Sequence, residues 1–171
     1  MRYAYADPPY IGQAKKHYGN ESSYAGEVDH ELLIHDLLTD YPDGWALSCS
    51  SPSLRFLLPL CPTGVRVAAW VKPFASFKPN VNPAYAWEPV LFMGGRKRDR
   101  TEPTVRDWVS ANITLRRGLP GAKPEAFCFW LFDLLGMQRG DELMDLFPGS
   151  RAVTTAWERL ANQLAPVGFS S

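Results

Sequence analysis

The stretch RYAYADPPY at residues 2–10 decides the fold, because it joins a short strand-forming run to an abrupt turn. Arg2 to Ala6 is apolar and β-prone, and it predicts a β-strand. Asp7 and the two prolines after it end that strand, since proline lacks the N–H group that a sheet ladder needs. In open α/β sheets, ligands bind beyond the carboxyl ends of the strands. The stretch therefore predicts a strand with a ligand site at its end.

Similar β-prone runs recur along the chain and alternate with helical periodicity. Strands are predicted at Arg2 to Ala6, Trp45 to Cys49, Val65 to Val71, Pro89 to Met93 and Glu142 to Phe147. Helices are predicted from apolar spacing at Val28 to Leu37, Leu54 to Leu58, Pro124 to Gly136 and Val153 to Leu164. This alternation indicates an α/β fold with a mainly parallel sheet. The length of 171 residues fits a single domain spanning residues 1–171.

Composition excludes several classes of protein. The 18 basic and 18 acidic residues balance, so the net charge predicts no polyanionic partner. The N-terminus lacks the apolar core of a signal peptide, and no stretch approaches the ~18 apolar residues of a membrane span, so we expect a soluble, cytoplasmic protein. Cys49, Cys61 and Cys128 form no CxxC pair and no ligand pattern with the histidines. We therefore expect reduced thiols and no metal.

The four residues Asp7-Pro8-Pro9-Tyr10 have the chemistry to orient an aromatic amine. Such an amine is a poor nucleophile, because its lone pair is delocalised into the ring. A carboxylate and a backbone carbonyl can accept its two N–H bonds and direct the lone pair at a methyl donor. Asp7 and the Pro8 carbonyl fit these roles, and Tyr10 offers a face on which a base can stack. The same residues also occur as an ordinary turn after a strand.

Two further motifs lie near the other end of the chain. Residues 140–150, GDELMDLFPGS, predict a strand that runs into a turn of small residues before a helix. Such a turn lets a ligand approach the backbone closely. Lys123-Pro124 precedes another helix, where a cation opposes the helix dipole. A lysine at that position indicates a carboxylate ligand nearby.

The three motifs, DPPY first, KP before an amphipathic helix and DLFPGS after it, resemble the circularly permuted amino-methyltransferases of the DNA adenine N6 and cytosine N4 type. The resemblance covers essentially the whole chain, and the combination is similar to small methyltransferases of phages and their actinobacterial hosts. It implies a Rossmann-like class I methyltransferase fold, circularly permuted, with S-adenosylmethionine (SAM) as cofactor. It also implies methyl transfer to an exocyclic nucleobase amine, with adenine N6 in DNA as the expected target.

The resemblance also implies residue roles. The catalytic motif is matched by Asp7, Pro8, Pro9 and Tyr10. The cofactor-binding positions are matched by Asp7, Lys123, Pro124, Asp145, Phe147, Gly149 and Ser150. Among these, Lys123 and Pro124 match the segment that contacts the methionine carboxylate. Neither a covalent enzyme intermediate nor a metal is required.

Two departures from the family pattern leave alternatives open. Arg151 follows Ser150 where the family usually carries glycine, which adopts the required conformation at lower cost. About twenty residues follow that turn, so the strand whose acidic end holds the ribose hydroxyls is missing and the C-terminal half is expected to be abbreviated. The alternatives are cytosine N4 in DNA, adenine in RNA, and a degenerate homologue that binds nucleic acid with weak catalysis.

Basic residues predict where a nucleic acid is contacted. Lys15, Lys16 and Tyr18 follow the DPPY motif in a loop. Residues 94–121 are predicted to form a long surface loop that resembles a target-recognition element beside the base pocket. Between Gly94 and Arg117 this loop has seven basic and three acidic residues, a balance that favours phosphate contacts over a merely solvated loop. The predicted contacts are Arg96, Lys97, Arg98 and Arg100.

Aromatic residues at strand boundaries have two interpretations. Trp70 and Trp87 are predicted to be core residues, since large aromatic side chains dominate burial. Phe74 and Phe77 are candidates for the wall of a pocket that holds an extruded base.

Overall fold

The computed structural model describes residues 1–11, 27–74, 79–114 and 122–163. Within these ranges the chain forms a six-stranded sheet with helices on both faces. The strands are β1 (Arg2–Ala6), β2 (Gly44–Ser48), β3 (Arg66–Val71), β4 (Trp87–Gly94), β5 (Trp108–Ser110) and β6 (Glu142–Asp145). The helices are α1 (His30–Asp40), α2 (Leu54–Leu57), α3 (Glu125–Leu135) and α4 (Ala152–Gln163), with short 3-10 turns on either side of α2.

The sheet is mixed, with the strand order β5-β3-β4-β2-β1-β6. β1 is parallel to β2 and β6, and β3 is parallel to β5. β4 is antiparallel to both of its neighbours, β2 and β3. The α/β class is as predicted, but the prediction of a mainly parallel sheet did not include this reversed strand. An apolar run such as that of β4 carries no signal of its direction.

The reversed strand brings distant parts of the chain to one edge of the sheet. Ser48 at the end of β2 lies opposite Val90, and Gly44 at its start lies opposite Gly94, so β4 begins where β1, β2 and β3 end. We call this the upper edge, and the opposite side, where Gly44 and Gly94 lie, the lower edge. The residues that reach the upper edge are Asp7 after β1, Lys72 after β3, Glu88 in β4 and Asp145 in β6.

The two faces of the sheet bury different side chains, because successive residues of a strand point to opposite faces. Tyr3 and Tyr5 of β1 lie in the core beneath α3 and α4, together with Phe127 and Trp157. Ala4 and Ala6 lie on the other face, where leucines of α1 cover them. Apolar side chains thus fill both faces, and the polar residues that end the strands collect at the upper edge.

The bounds of α3 are set by the residues predicted to delimit it. Pro124, predicted to be the first helical residue, is the N-cap, so the helix begins one position later at Glu125, and Gly136 ends it with φ 64. A left-handed C-cap of this kind favours glycine. The buried face of α3, which includes Phe127 and Leu131, packs on the sheet and fixes Lys123 directly before it.

Other elements differ from the prediction in extent. β5 lies inside residues 94–121, which were predicted to be a surface loop, and residues 115–121 lie outside the described ranges. β5 has only three residues in a charged sequence, too short a run to give a periodic signal. β6 ends at Asp145, so Phe147 belongs to the following turn. Across the described ranges, no helix is long and apolar enough to cross a membrane.

Candidate functional site

The DPPY residues form the turn that leaves β1 at the upper edge. Pro8 is buried, and Asp7, Pro9 and Tyr10 are partly exposed. The Asp7 side chain keeps 24% of its surface exposed, so its carboxylate borders solvent. The sheet therefore presents this carboxylate beside the rigid Pro8 peptide, at the place predicted for a ligand.

Lys123 connects the DPPY turn to the rest of the upper edge. Its Nζ lies 3.0 Å from Asp7 Oδ1 and 3.0 Å from Glu88 Oε2. The lysine side chain is only 6% exposed, and its ammonium also lies 5.2 Å from the centre of the Trp70 ring. The sequence predicted a carboxylate ligand near this lysine, and in the structure two carboxylates of the protein itself, Asp7 and Glu88, hold its ammonium.

Glu88 and Lys72 extend these contacts, and the sequence prediction gave neither a role. Lys72 Nζ lies 2.5 Å from Glu88 Oε1. The Tyr10 hydroxyl also donates a hydrogen bond to the Glu88 carboxylate. We call Lys72, Glu88, Lys123 and Asp7 the charge chain, because their ammonium and carboxylate groups alternate along it. For Glu88, the signal in the sequence was a glutamate inside the apolar run WEPVLF.

In the charge chain, burial and neighbouring charges shift the pKa values of Asp7, Glu88 and Lys123 in opposite directions. Burial raises the pKa of Asp7, and the Lys123 ammonium opposes that rise. Burial also acts to raise the pKa of Glu88, but Lys123 and Lys72 outweigh it and lower this pKa to about 2. Asp7 and Glu88 together raise the pKa of Lys123 against the effect of its burial. The lysine is therefore charged and held by both carboxylates.

Asp145 ends β6 on the same edge and has an unsatisfied oxygen. Its Oδ2 accepts a hydrogen bond from Thr154 Oγ1 at 2.9 Å, whereas its buried Oδ1 has no hydrogen-bond partner among the described residues. Buried polar atoms are nearly always paired, so an orphaned acceptor indicates a place for a donor from a ligand. Burial raises the pKa of Asp145, and the Thr154 hydroxyl opposes this rise.

A cavity of about 240 Å³ lies between the starts of α3 and α4. Its lining includes Lys123 and Ser150, which the sequence analysis assigned to cofactor binding, together with Cys128 and the ion pair Glu125–Arg159. The turn that contains Phe147 and Gly149 leads from Asp145 to Ser150. The structure thus brings Lys123 and Ser150 to one cavity, whereas the other predicted cofactor residues do not line it: Asp7, Pro124, Asp145, Phe147 and Gly149.

Arg151 has the left-handed conformation that the sequence analysis expected to favour glycine, with φ 58. Its side chain contacts Glu158 at 3.7 Å, and both side chains are exposed, so this pair adds little stability. Left-handed backbone costs a residue with a Cβ roughly 1–2 kcal/mol. Glycine avoids this cost, but its larger conformational entropy in the unfolded state offsets part of the gain.

We expect Arg151→Gly to stabilise the fold by about 0.5–1 kcal/mol, measured by urea unfolding, because it removes this backbone strain. Arg151→Ala is the matched control: it also loses the contact with Glu158 but keeps the Cβ. A glycine variant no more stable than the alanine variant would contradict the strain argument.

The predicted phosphate contacts do not lie beside Asp7. Residues 96–100 follow Gly94 on the lower edge, where Arg96 Nη2 donates to both carboxylate oxygens of Asp141, at 2.8 and 2.9 Å. Arg98 donates to the Asp133 carbonyl, while Lys97 and Arg100 are exposed. The expectation that this basic run borders the base pocket is wrong for these four residues. Lys15, Lys16, Tyr18 and Phe77 lie outside the described residues.

The aromatic residues near the site divide into a buried and an exposed group. Trp70 is 3% exposed, as predicted for a core residue, whereas Trp87 is 40% exposed, so its prediction as a core residue is wrong. Phe74 and Tyr85, in the connection between β3 and β4 at the upper edge, are 52% and 58% exposed. Among the described residues, no group of three or more His, Cys, Asp and Glu side chains is arranged to hold a metal ion.

Comparisons with known proteins bear on the fold. No family model matches the chain, and no curated relative matches it. The crystal structure of the M1.HpyAVI–SAM complex matches with a TM-score of 0.60 and 16% identity, over 94% of this chain and 78% of that one. The crystal structure of M1.HpyAVI matches with a TM-score of 0.58 and 17% identity, over 93% and 76%. The chain therefore shares the α/β fold of M1.HpyAVI.

Proposed function

We propose that the protein is a SAM-dependent methyltransferase that acts on the exocyclic amine of a nucleobase, with adenine N6 in DNA as the target. The observation that carries this proposal is the Asp7 carboxylate, held by Lys123 at the carboxyl end of β1 and followed directly by the rigid Pro8 peptide. Two acceptors at adjacent positions suit a group with two N–H donors.

In the proposed reaction, Asp7 and the Pro8 carbonyl accept the two N–H bonds of the substrate amine. This orientation exposes the nitrogen lone pair for in-line attack, and holding the reactants in place is itself a large part of such catalysis. SAM, when bound, would supply an electrophilic methyl group on a sulfonium, whose sulfur would keep the electron pair of the broken S–C bond. Asp7 is the proposed acceptor for the one proton that the methylated nitrogen loses, because burial raises the pKa of this carboxylate.

We assign the cofactor to the cavity between α3 and α4 together with the end of β6 beside it. The Asp145 Oδ1, unpaired among the described residues, is the proposed acceptor for the ammonium or hydroxyl donors of SAM. Pro124, Phe147, Gly149 and Ser150 are the proposed further contacts, which is the arrangement of a circularly permuted enzyme with its catalytic motif first. Lys123 is already engaged by two carboxylates, so we assign it first to holding Asp7. The crystal structure of M1.HpyAVI with SAM supports this choice of cofactor.

Exposed aromatic side chains support a nucleobase substrate. Phe74, Tyr85 and Trp87 present their rings at the upper edge, in the segments that flank Lys72 and Glu88. Stacking of a base on an aromatic ring contributes about 1–3 kcal/mol and tolerates any sequence. We propose these three residues as base contacts, and Lys15, Lys16 and Tyr18 as phosphate and base contacts in the loop after DPPY. Arg96, Lys97, Arg98 and Arg100 would contact only a nucleic acid that also reaches the lower edge.

The proposal is tested by incubating the protein with labelled SAM and unmethylated DNA or RNA. The nucleosides are then analysed by mass spectrometry. We expect N6-methyladenine from DNA. Detection of N4-methylcytosine, or of methyladenine from RNA only, would change the assigned substrate but leave the proposed amine methylation intact. Absence of methyl transfer together with absence of calorimetric SAM binding would overturn the proposal in favour of a degenerate nucleic-acid-binding homologue, the alternative that the strained Arg151 turn favours.

A further inference from the structure

Lys72 lies at the far end of the charge chain from the substrate position. Its backbone N–H donates to the Ala86 carbonyl at 2.8 Å, which fixes the connection between β3 and β4. Its Nζ contacts Glu88 Oε1 and lies 4.7 Å from the centre of the Trp70 ring. The side chain is 13% exposed, so this lysine is mostly buried and fully engaged by one carboxylate and one aromatic face.

The order of charges makes Lys72 necessary to the balance of the site. Along the chain the signs run positive at Lys72, negative at Glu88, positive at Lys123 and negative at Asp7. Without Lys72 the remaining three groups have a net negative charge, in a place where charges are weakly screened. Among the described residues, Lys123 would then be the one cation left in contact with Glu88, and Glu88 would share it with Asp7. Any weakening of the Lys123–Asp7 contact frees the carboxylate that faces the substrate.

We propose that Lys72 is a positioning residue that acts on Asp7 through Glu88 and Lys123, keeping the acceptor carboxylate charged and fixed without touching the substrate. The inference rests on the proposed function of Asp7 as the acceptor for the amine. It extends that function to a residue two contacts away, at a different strand end.

The charged and titratable groups around Asp7 come from every neighbouring element. They are Tyr5 of β1, Tyr10 of the turn, Lys72 after β3, Glu88 of β4, Asp145 of β6 and Lys123 before α3. Burial raises the pKa of Asp7 most, and Glu88 adds to the rise, whereas Lys123 and Lys72 both lower it. Loss of the Lys72 charge therefore moves this pKa upward.

The test is the pH profile of kcat/KM for methyl transfer by Lys72→Met, which keeps an apolar contact with Trp70. We expect the acidic limb to move to higher pH by on the order of 0.5–1 pH unit, since less of the variant carries an ionised Asp7 at a given acidic pH. Above that limb, kcat is expected to stay within about threefold of the wild type, because Asp7 is ionised in both proteins.

Two further variants make the outcome specific. Lys72→Arg restores the positive charge and is expected to return the limb to its wild-type position. Arg139→Met removes an exposed arginine before β6 at the lower edge, so it changes the net charge equally and should leave the profile unmoved. An unmoved limb in Lys72→Met would overturn the proposal. So would a uniform loss of activity at all pH values that arginine does not rescue.

Carboxylate titration by ¹³C NMR tests the chain independently of catalysis. In Lys72→Met we expect the pKa values of Glu88 and Asp7 both to rise relative to the wild type, and unchanged values would refute the coupling. If the wild-type protein methylates no nucleobase, the proposed function fails, but this titration still decides whether Lys72 sets the charge on Asp7.

Discussion

Replacing Asp7 with alanine is expected to lower kcat for methyl transfer by about 10³-fold, in the range found when one preorganised hydrogen-bonding group is removed from an active site. In the proposed reaction, the Asp7 carboxylate accepts one N–H bond of the substrate amine and the Pro8 carbonyl accepts the other. The Pro8 carbonyl alone would leave the amine free to rotate and its lone pair undirected. Single-turnover methylation assays with saturating SAM and DNA measure this loss.

Two controls separate orientation from folding. Asp7→Asn keeps an acceptor oxygen and is expected to retain more activity than the alanine variant, although its amide loses the charge that pairs with Lys123. Asp40→Ala, at the exposed end of α1, is expected to be fully active. Calorimetry should give Asp7→Ala a dissociation constant for SAM close to that of the wild type. An alanine variant that methylates at the wild-type rate would refute the proposed role of Asp7.

Replacing Lys123 with methionine is expected to destabilise the fold by about 3 kcal/mol at neutral pH. Removing one member of a buried ion pair typically costs about 3–5 kcal/mol, and Asp7 keeps some solvent contact that reduces the cost. The variant would leave Asp7 and Glu88 without the cation that joins them. For a domain of this size, the loss corresponds to a decrease in Tm of about 6–12 °C, measurable by calorimetry.

The pH dependence identifies the cause of this loss. In the wild type the pKa of Glu88 is lowered from 4.5 to about 2, so the stability that Glu88 contributes is present above pH 4.5 and is lost as the pH falls toward 2. In Lys123→Met we expect the pKa values of Asp7 and Glu88 to be higher than in the wild type. Protonation of these carboxylates at acidic pH then removes the uncompensated charge that destabilises the variant. The stability difference should therefore narrow on acidification. A difference that stays constant with pH would show that packing, not charge, is lost, and Lys97→Met is the matched control with little expected effect.

The motifs of the site could be predicted from the sequence because each is a local pattern. DPPY at a strand end, KP before a helix and DLFPGS after a strand depend on neighbouring residues and on the rule that ligands bind at strand ends. The structure brings Asp7, Lys123 and Ser150 to the same edge of the sheet. α3 could likewise be predicted, because its apolar residues have helical spacing and Gly136 marks its end.

Glu88 and Lys72 were not predicted because their role depends on the direction of β4. In a parallel arrangement Glu88, near the start of its strand, would lie on the lower edge. Only the antiparallel pairing with β2 and β3 brings it to the upper edge beside Lys123. Strand direction is a property of the whole sheet, and no local pattern encodes it.

The same reversal explains the error over the basic run. Residues that follow β4 in sequence were expected beside the base pocket, but an antiparallel strand that begins on the upper edge must end on the lower one. Arg96 therefore pairs with Asp141, next to the start of β6. The composition of residues 96–100 indicates a local positive charge, but it does not determine where these residues lie in the fold.

The charge chain also has a consequence for how the protein folds. Its members come from the end of β1, the end of β3, β4 and the residue pair before α3, and Asp7 and Lys123 are more than a hundred residues apart. Contacts of such sequence separation form only after the loops between them have been closed, which slows folding. A fragment that lacks either β1 or the start of α3 cannot assemble the charge chain. We therefore expect the Lys123–Asp7 contact to form late in folding, and the Trp70 ring against both ammonium groups provides a fluorophore placed to report when it occurs.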